Sequence, residues 1–119
     1  TDEGVRDLAH AVLTADDIPV TFIHDSPGFI AQRVIATIVN ISAEIAQMRI
    51  ATPEDINKAV KLGLAYPQGP LEFGDTLGPA KIHAILTAMH DFYGDPRYRP
   101  SPWLTRRARL GVSLMTPEA

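Results

Sequence analysis

Residues able to do chemistry are few in this chain and widely spaced. The histidines are His10, His24, His83 and His90. His83 and His90 stand seven apart, two turns along one helical face, whereas two ligands of one metal on a helix are expected three or four apart. His10 and His24 have no ligand-like neighbour, so no metal site is expected. His24 and Asp25 could act as a base and its orienting carboxylate. Adjacent residues on an extended segment point to opposite sides, however, and Asp25 is read instead as favouring a helix start. There is no cysteine, which excludes a disulfide scaffold, a thiolate metal site and a cysteine nucleophile. No Ser-His-Asp arrangement and no Gly-x-Gly-x-x-Gly phosphate loop occur. Two further stretches hold chemical interest. Tyr66-Pro67-Gln68-Gly69-Pro70 reads either as a pocket wall, where Gly69 lets a ligand approach closely, or as a tight connection between helices. Arg97, Arg99, Arg106, Arg107 and Arg109 gather near the C-terminus. They could attract a phosphorylated ligand such as coenzyme A or the acidic helix ends of a partner, although solvated surface charge is the commoner reason for such a cluster.

The elements that would position these residues are helices. One unbroken pattern runs from Asp25 to Arg49, with Ser26 suited to cap it and Pro27 to its first position. Ile30, Val34, Ile38, Ile41, Ile45 and Met48 recur at threes and fours and form its expected packing face, which a second row of Ile35, Val39 and Ala46 widens, with Arg33, Thr37, Asn40, Glu44 and Gln47 opposite. The other helices are expected to pack against this one. Before it, Val5, Leu8, Ala9, Val12 and Leu13 mark a helix ending before Asp16-Asp17, and 19–23 reads as a short extended segment. After it, Thr52-Pro53 opens a helix that Gly63 ends, Pro70 to Leu77 forms a short one, and Gly78-Pro79 opens another that Gly94 stops. Residues 95–102 should be irregular, 103–110 a last short helix, and the stretch after Gly111 frayed. The fold class expected is all-α.

Composition narrows the function. With 119 residues and 45% hydrophobic content the chain can bury a real core, and a net charge of −3 argues against a general nucleic-acid binder. No apolar run approaches the ~20 residues needed to cross a bilayer. A cytoplasmic protein without membrane or nucleic-acid partners is expected. The chain opens at Thr1, not Met, as an excised piece of a longer protein would.

Four stretches, in this order and spacing, resemble the C-terminal helical domain of the 3-hydroxyacyl-CoA dehydrogenases. They are Asp25-Ser26-Pro27-Gly28-Phe29-Ile30-Ala31-Gln32-Arg33, Ala51-Thr52-Pro53-Glu54-Asp55-Ile56-Asn57, Ala59-Val60-Lys61-Leu62-Gly63, and Tyr66 through Gly78. The resemblance spans about Pro19 to Arg109. It implies a helical bundle around one long helix, like the 6-phosphogluconate dehydrogenase C-terminal domain, over 25–111. Residues 1–24 would lead in from a preceding domain and 112–119 would be a tail.

The resemblance also implies a function. Such enzymes oxidise a 3-hydroxyacyl-CoA to the 3-ketoacyl-CoA and pass a hydride to NAD. NAD and the catalytic His–Glu pair belong to a Rossmann domain absent from this chain, so the isolated chain should be inactive. The helical domain would serve a homodimer contact and close over the acyl-CoA substrate, with Tyr66, Pro67, Gly69 and Pro70 as substrate-facing residues. The family's active-site Asn falls at Gln32, which has the same amide on a stem one methylene longer. Family members also commonly carry Glu where Ile41 stands and Gly where Arg49 stands. Some have two helical domains in tandem, the second lacking the Asn and ending in an Arg-Tyr-Arg motif similar to Arg97-Tyr98-Arg99. The chain resembles that second copy. A stand-alone helical interaction module with no acyl-CoA role is the alternative.

Overall fold

The computed structural model describes residues 2–118; Thr1 and Ala119, the outermost residues of the leading segment and of the tail, lie outside them. All regular structure among the described residues is helical, as expected. Six α-helices follow one another: α1 (Glu3–Leu13), α2 (Ala31–Gln47), α3 (Pro53–Gly63), α4 (Pro70–Leu77), α5 (Pro79–Tyr93) and α6 (Pro102–Leu110), with a 3₁₀ turn at Pro96–Tyr98. Four of these starts have the same cause. Pro53, Pro70, Pro79 and Pro102 each occupy a first helical position, where a missing N–H leaves no bond unmade. Thr52 Oγ1 accepts from the Asp55 N–H, and Ser101 Oγ accepts from the Leu104 N–H. Gly94 and Gly111 then close α5 and α6 in the left-handed conformation that suits glycine.

α2 is the hub, touching α3, α4, α5, α6 and the 3₁₀ turn. The core gathers Val39, Ala43, Leu71, Ile82, Leu86, Met89, Trp103, Leu104 and Leu114 around it. Two expectations for this helix are overturned. Its first residue is Ala31, not a residue after a Ser26 cap, because Gly28 and Phe29 both take positive φ (77° and 48°) and such a pair cannot continue a right-handed helix. Its buried face is also not centred on the isoleucine row but lies on the side of the second expected row, through Val39 and Ala46. Ala36, Val39, Asn40, Ser42, Ala43 and Ala46 face the core, while Ile30, Val34, Ile41 and Met48 are 51–58% exposed. The small residues let neighbouring backbones approach, so bulk, which identified the other row, was the wrong guide to burial.

The stretch after Gly111 is docked, not frayed. Leu114 is fully buried, its carbonyl accepts from Trp103 Nε1 (3.0 Å), and its N–H donates to Asp75 Oδ1 (2.7 Å). α1 behaves differently. It has no buried residue and touches no other helix; it leans on the extended segment through His10, whose ring lies 5.0 Å from that of Phe22.

Candidate functional site

The site residues read from the sequence fall into three surroundings. Gln32 lies on the first turn of α2, exposed, with no hydrogen-bond partner among the described residues, so its amide is available to a ligand. Tyr66 and Pro67 line an apolar cleft of about 240 Å³ with Val34, Ile35, Ile38, Val39 and Phe73. Gln32 is not among its lining residues. Gly69 and Pro70 are buried. The close approach that Gly69 permits is to the side chain of Asn57, with which any added Cβ would collide. The loop is thus a tight connection at Gly69-Pro70 and a cleft wall at Tyr66-Pro67.

The helix turn that carries Gln32 is tied down through the next residue. α2 begins without a side-chain cap, and Arg33 supplies the tether. Its Nη1 donates to Tyr93 Oη (3.0 Å) and its Nη2 to Tyr98 Oη (2.6 Å), with the guanidinium 4.7 Å and 5.4 Å from the two ring centroids. The hydrogen bond to Tyr98 holds the Arg33 pKa above its ordinary value. Farther along α2, buried Asn40 brackets the 99–101 turn, donating from Nδ2 to the Arg99 carbonyl and accepting the Ser101 N–H, both at 2.9 Å. Asn57 does the same between elements, accepting the Leu71 N–H (3.0 Å) and donating to Met115 Sδ (3.1 Å). Each buried amide spends both of its ends on backbone or on a neighbouring side chain, as burial demands. These ties were missed in sequence. A signal existed for Asn57, a polar residue within the buried stripe of Pro53 and Ile56.

The arginine cluster is dispersed. Arg97 pairs with Asp95 (3.1 Å), and Arg106 bonds to Gln47 (2.8 Å) and Glu118. Arg107 is buried, against the expectation of solvated charge. It stacks 3.2 Å from the Trp103 ring centroid and donates from Nε to the Thr116 carbonyl (2.8 Å). Burial lowers its pKa, and Glu118 works against that shift. Its guanidinium fastens the chain end and does not serve as an anion receptor.

A bundle wrapped on one long helix, with an exposed amide at that helix's start and an apolar cleft along its side, defines the class: a small all-helical domain. The family model for the 3-hydroxyacyl-CoA dehydrogenase C-terminal domain matches residues 28–114. The chain belongs to that family. The 3-hydroxyadipyl-CoA dehydrogenase of Escherichia coli K12 is 40% identical over 88 residues, which are 74% of this chain and 18% of that protein. A probable 3-hydroxybutyryl-CoA dehydrogenase of Deinococcus radiodurans is 31% identical over 112 residues, 94% of this chain and 40% of that protein. Among solved structures, Mycobacterium tuberculosis FadB2 superposes with a TM-score of 0.88 at 28% identity, over 93% of this chain and 39% of that one. The chain spans less than half the length of these curated relatives.

Proposed function

We propose that this chain is the C-terminal helical domain of an NAD-dependent 3-hydroxyacyl-CoA dehydrogenase, with 25–111 as the domain proper, and that it acts by packing and by bordering the acyl-CoA. The observation that carries this reading is the family match over 28–114, reinforced by relatives that are themselves 3-hydroxyacyl-CoA dehydrogenases and longer than this chain. NAD does not fit here. The chain has no glycine-rich phosphate loop, and the resemblance to the family implies that the cofactor, the hydride step and the His–Glu pair belong to a Rossmann domain outside this chain.

What this chain's residues can do is orient the substrate. The Gln32 amide, on a helix turn tied down by Arg33, can donate to a thioester or 3-hydroxyl oxygen, and Tyr66 and Pro67 offer an apolar wall to the acyl part. Gly69 and Pro70, buried with Gly69 against Asn57, complete the loop that carries that wall. A side chain one methylene longer than Asn displaces the amide by ~1 Å or more, enough to matter for chemistry. This favours the second copy of a tandem pair, relieved of the catalytic role. The relatives support that reading in one respect. The 88 residues matched are only 18% of the E. coli protein, whereas 112 are 40% of the Deinococcus one, so the more similar relative is much the longer.

Calorimetric titration of acetoacetyl-CoA into the purified chain tests the acyl-CoA role. Saturable binding that weakens about tenfold in Gln32→Ala is expected, a hydrogen bond to a polar ligand group being worth ~1 kcal/mol or somewhat more. No heat up to millimolar ligand would leave a purely structural copy. The same chain should not oxidise NADH with acetoacetyl-CoA; turnover that survives purification and disappears in Gln32→Ala would defeat the reading.

A further inference from the structure

The three methionines of the chain stand in three surroundings. Met48 is 58% exposed and Met89 is fully buried. Met115 lies between these extremes. It packs half-buried against the core and also lines an open surface cleft of about 330 Å³ with Glu54, Asn57, Lys58, Lys61 and Glu72. In a chain without cysteine, the methionine thioether is the group that peroxide oxidises most readily. What sets Met115 apart is the bond its sulfur makes. Sδ accepts from Asn57 Nδ2 (3.1 Å), and Asn57 is only 3% exposed.

The Asn57 amide joins three parts of the fold. Its Oδ1 accepts the Leu71 N–H (3.0 Å), which ties α3 to α4, and its Nδ2 ties both to the chain end through Met115. No other acceptor meets Nδ2 among the described residues. The chain end has further holds of its own, from the Leu114 N–H to Asp75 and from Arg107 to the Thr116 carbonyl. A thioether is a weak acceptor with two lone pairs. One is engaged by Asn57, and the other is left for a small reagent that enters the cleft.

We propose that Met115 is a site of oxidation by hydrogen peroxide, and that its sulfoxide unlatches residues 112–118 from Asn57. The free lone pair of sulfur attacks one peroxide oxygen. The S–O bond forms as the O–O bond breaks, and the departing hydroxide takes the proton of the transferred oxygen and leaves as water. The thioether gives up two electrons and the peroxide takes them. At 3.1 Å no room remains between Sδ and Nδ2 for the new oxygen. It is directed to the cleft, where Lys58 and Lys61 favour its partial negative charge. The sulfur becomes the positive end of the S–O dipole and repels the Asn57 N–H that it accepted before. A buried amide donor is then left unpaired, which burial penalises. The Asp75 and Arg107 ties do not involve the sulfur, so the segment opens more often while the bundle stays folded.

Peptide mass mapping and hydrogen exchange after treatment with hydrogen peroxide test this on the Met48→Leu chain, from which the freely exposed methionine is removed. A single oxygen should be found, on Met115 and not on Met89. Exchange at the Leu114 and Thr116 amides should then rise about tenfold or more, as loss of one buried hydrogen bond implies, while the amides of α2 change little. The same chain with Met115→Leu added should show no response to peroxide. Met115 left unoxidised would overturn the proposal. So would Met89 oxidised as fast as Met115, because oxidation would then follow opening of the whole bundle. Oxidised Met115 with protection at Leu114 unchanged or higher would also defeat it, since the new oxygen would have replaced the sulfur as the acceptor for Asn57. A response to peroxide that persists with Met115→Leu would place the effect elsewhere and defeat it equally.

Discussion

Arg49 follows the last turn of α2 with φ 57°, a conformation that crowds any side chain with a Cβ. The hydrogen bonds around it explain why it stays there. The Arg49 N–H donates to the Ala46 carbonyl (3.0 Å) and the Ile50 N–H to the Ile45 carbonyl (3.1 Å), the paired pattern that ends a helix through one left-handed residue. A glycine, lacking Cβ, would relieve the strain. Arg49→Gly should therefore raise unfolding stability by about 1 kcal/mol, read from the urea midpoint. Arg49→Ala should gain nothing, since the Cβ remains; equal gains from both would mean that the arginine side chain, not the backbone, is at fault. His83 carries a second residue-scale expectation. Burial, and then the charge of Arg109, lowers its pKa below the ordinary value. The folded chain therefore takes up this proton less readily than the unfolded one. The stability His83 contributes is complete above the ordinary histidine pKa of ~6.5 and is lost as pH falls through it. Urea midpoints at pH 7.5 and pH 5 should differ more in the wild type than in His83→Gln; identical differences would remove His83 from the acid response.

At the scale of elements, the C-terminal stretch is held by polar ties as well as by the buried side chain of Leu114. Asp75, near the end of α4, accepts from Ser113 Oγ and from the Leu114 N–H, and Arg107 and Trp103 grip the backbone at Thr116 and Leu114. Packing adds a steric demand on α4, since a Cβ at Gly74 would strike the side chains of Leu114 and Val39. Asp75→Ala strips two acceptors from this contact and should cost about 2 kcal/mol. Hydrogen exchange at the Leu114 amide should rise well above that of the α2 core; protection unchanged at Leu114 would mean that burial of its side chain alone holds the segment. These ties also show what the sequence could and could not convey. The starts of α3 to α5 were legible because capping residues and prolines act on their immediate neighbours, whereas Ser101-Pro102 at the start of α6 was read as part of an irregular stretch. The docking of 112–118 was not, because Asp75, Asn57 and Trp103 reach it from distant parts of the chain. The start of α2 was misplaced because Ser26-Pro27-Gly28 imitates a helix opening, and only φ at Gly28 and Phe29 reveals the turn. Its buried face was misread because periodicity identifies apolar rows and not which of two rows meets the core. At the candidate site, the Tyr66–Pro70 loop was legible as an oddity, whereas the split between a packed Gly69 and an open Tyr66 depended on where Asn57 lies.

For the whole molecule, the radius of gyration is 17.0 Å, against about 13.5 Å for a compact domain of this length. The longest extent is 56 Å. α1 accounts for the difference. It stands off the bundle on the extended segment, with Val5, Leu8, Val12 and Leu13 each about 60% exposed or more. A helix of 11 residues without burial is marginal in water; Asp2, which caps it by accepting from the Gly4 and Val5 N–H groups, cannot make up for absent packing. The chain should therefore behave as a stable body from about residue 28 onward carrying a weakly held arm. Native-state hydrogen exchange is expected to show α1 amides exchanging at least about 100-fold faster than those of α2 and α5, through local opening that leaves the bundle folded. If α1 docks on a domain that precedes the bundle in the parent protein, the same amides should gain protection there while those of α2 change little. Protection of α1 equal to that of α2 in the isolated chain would instead mean that the arm is part of the cooperative unit, and that the exposed row of α1 is covered by this chain itself.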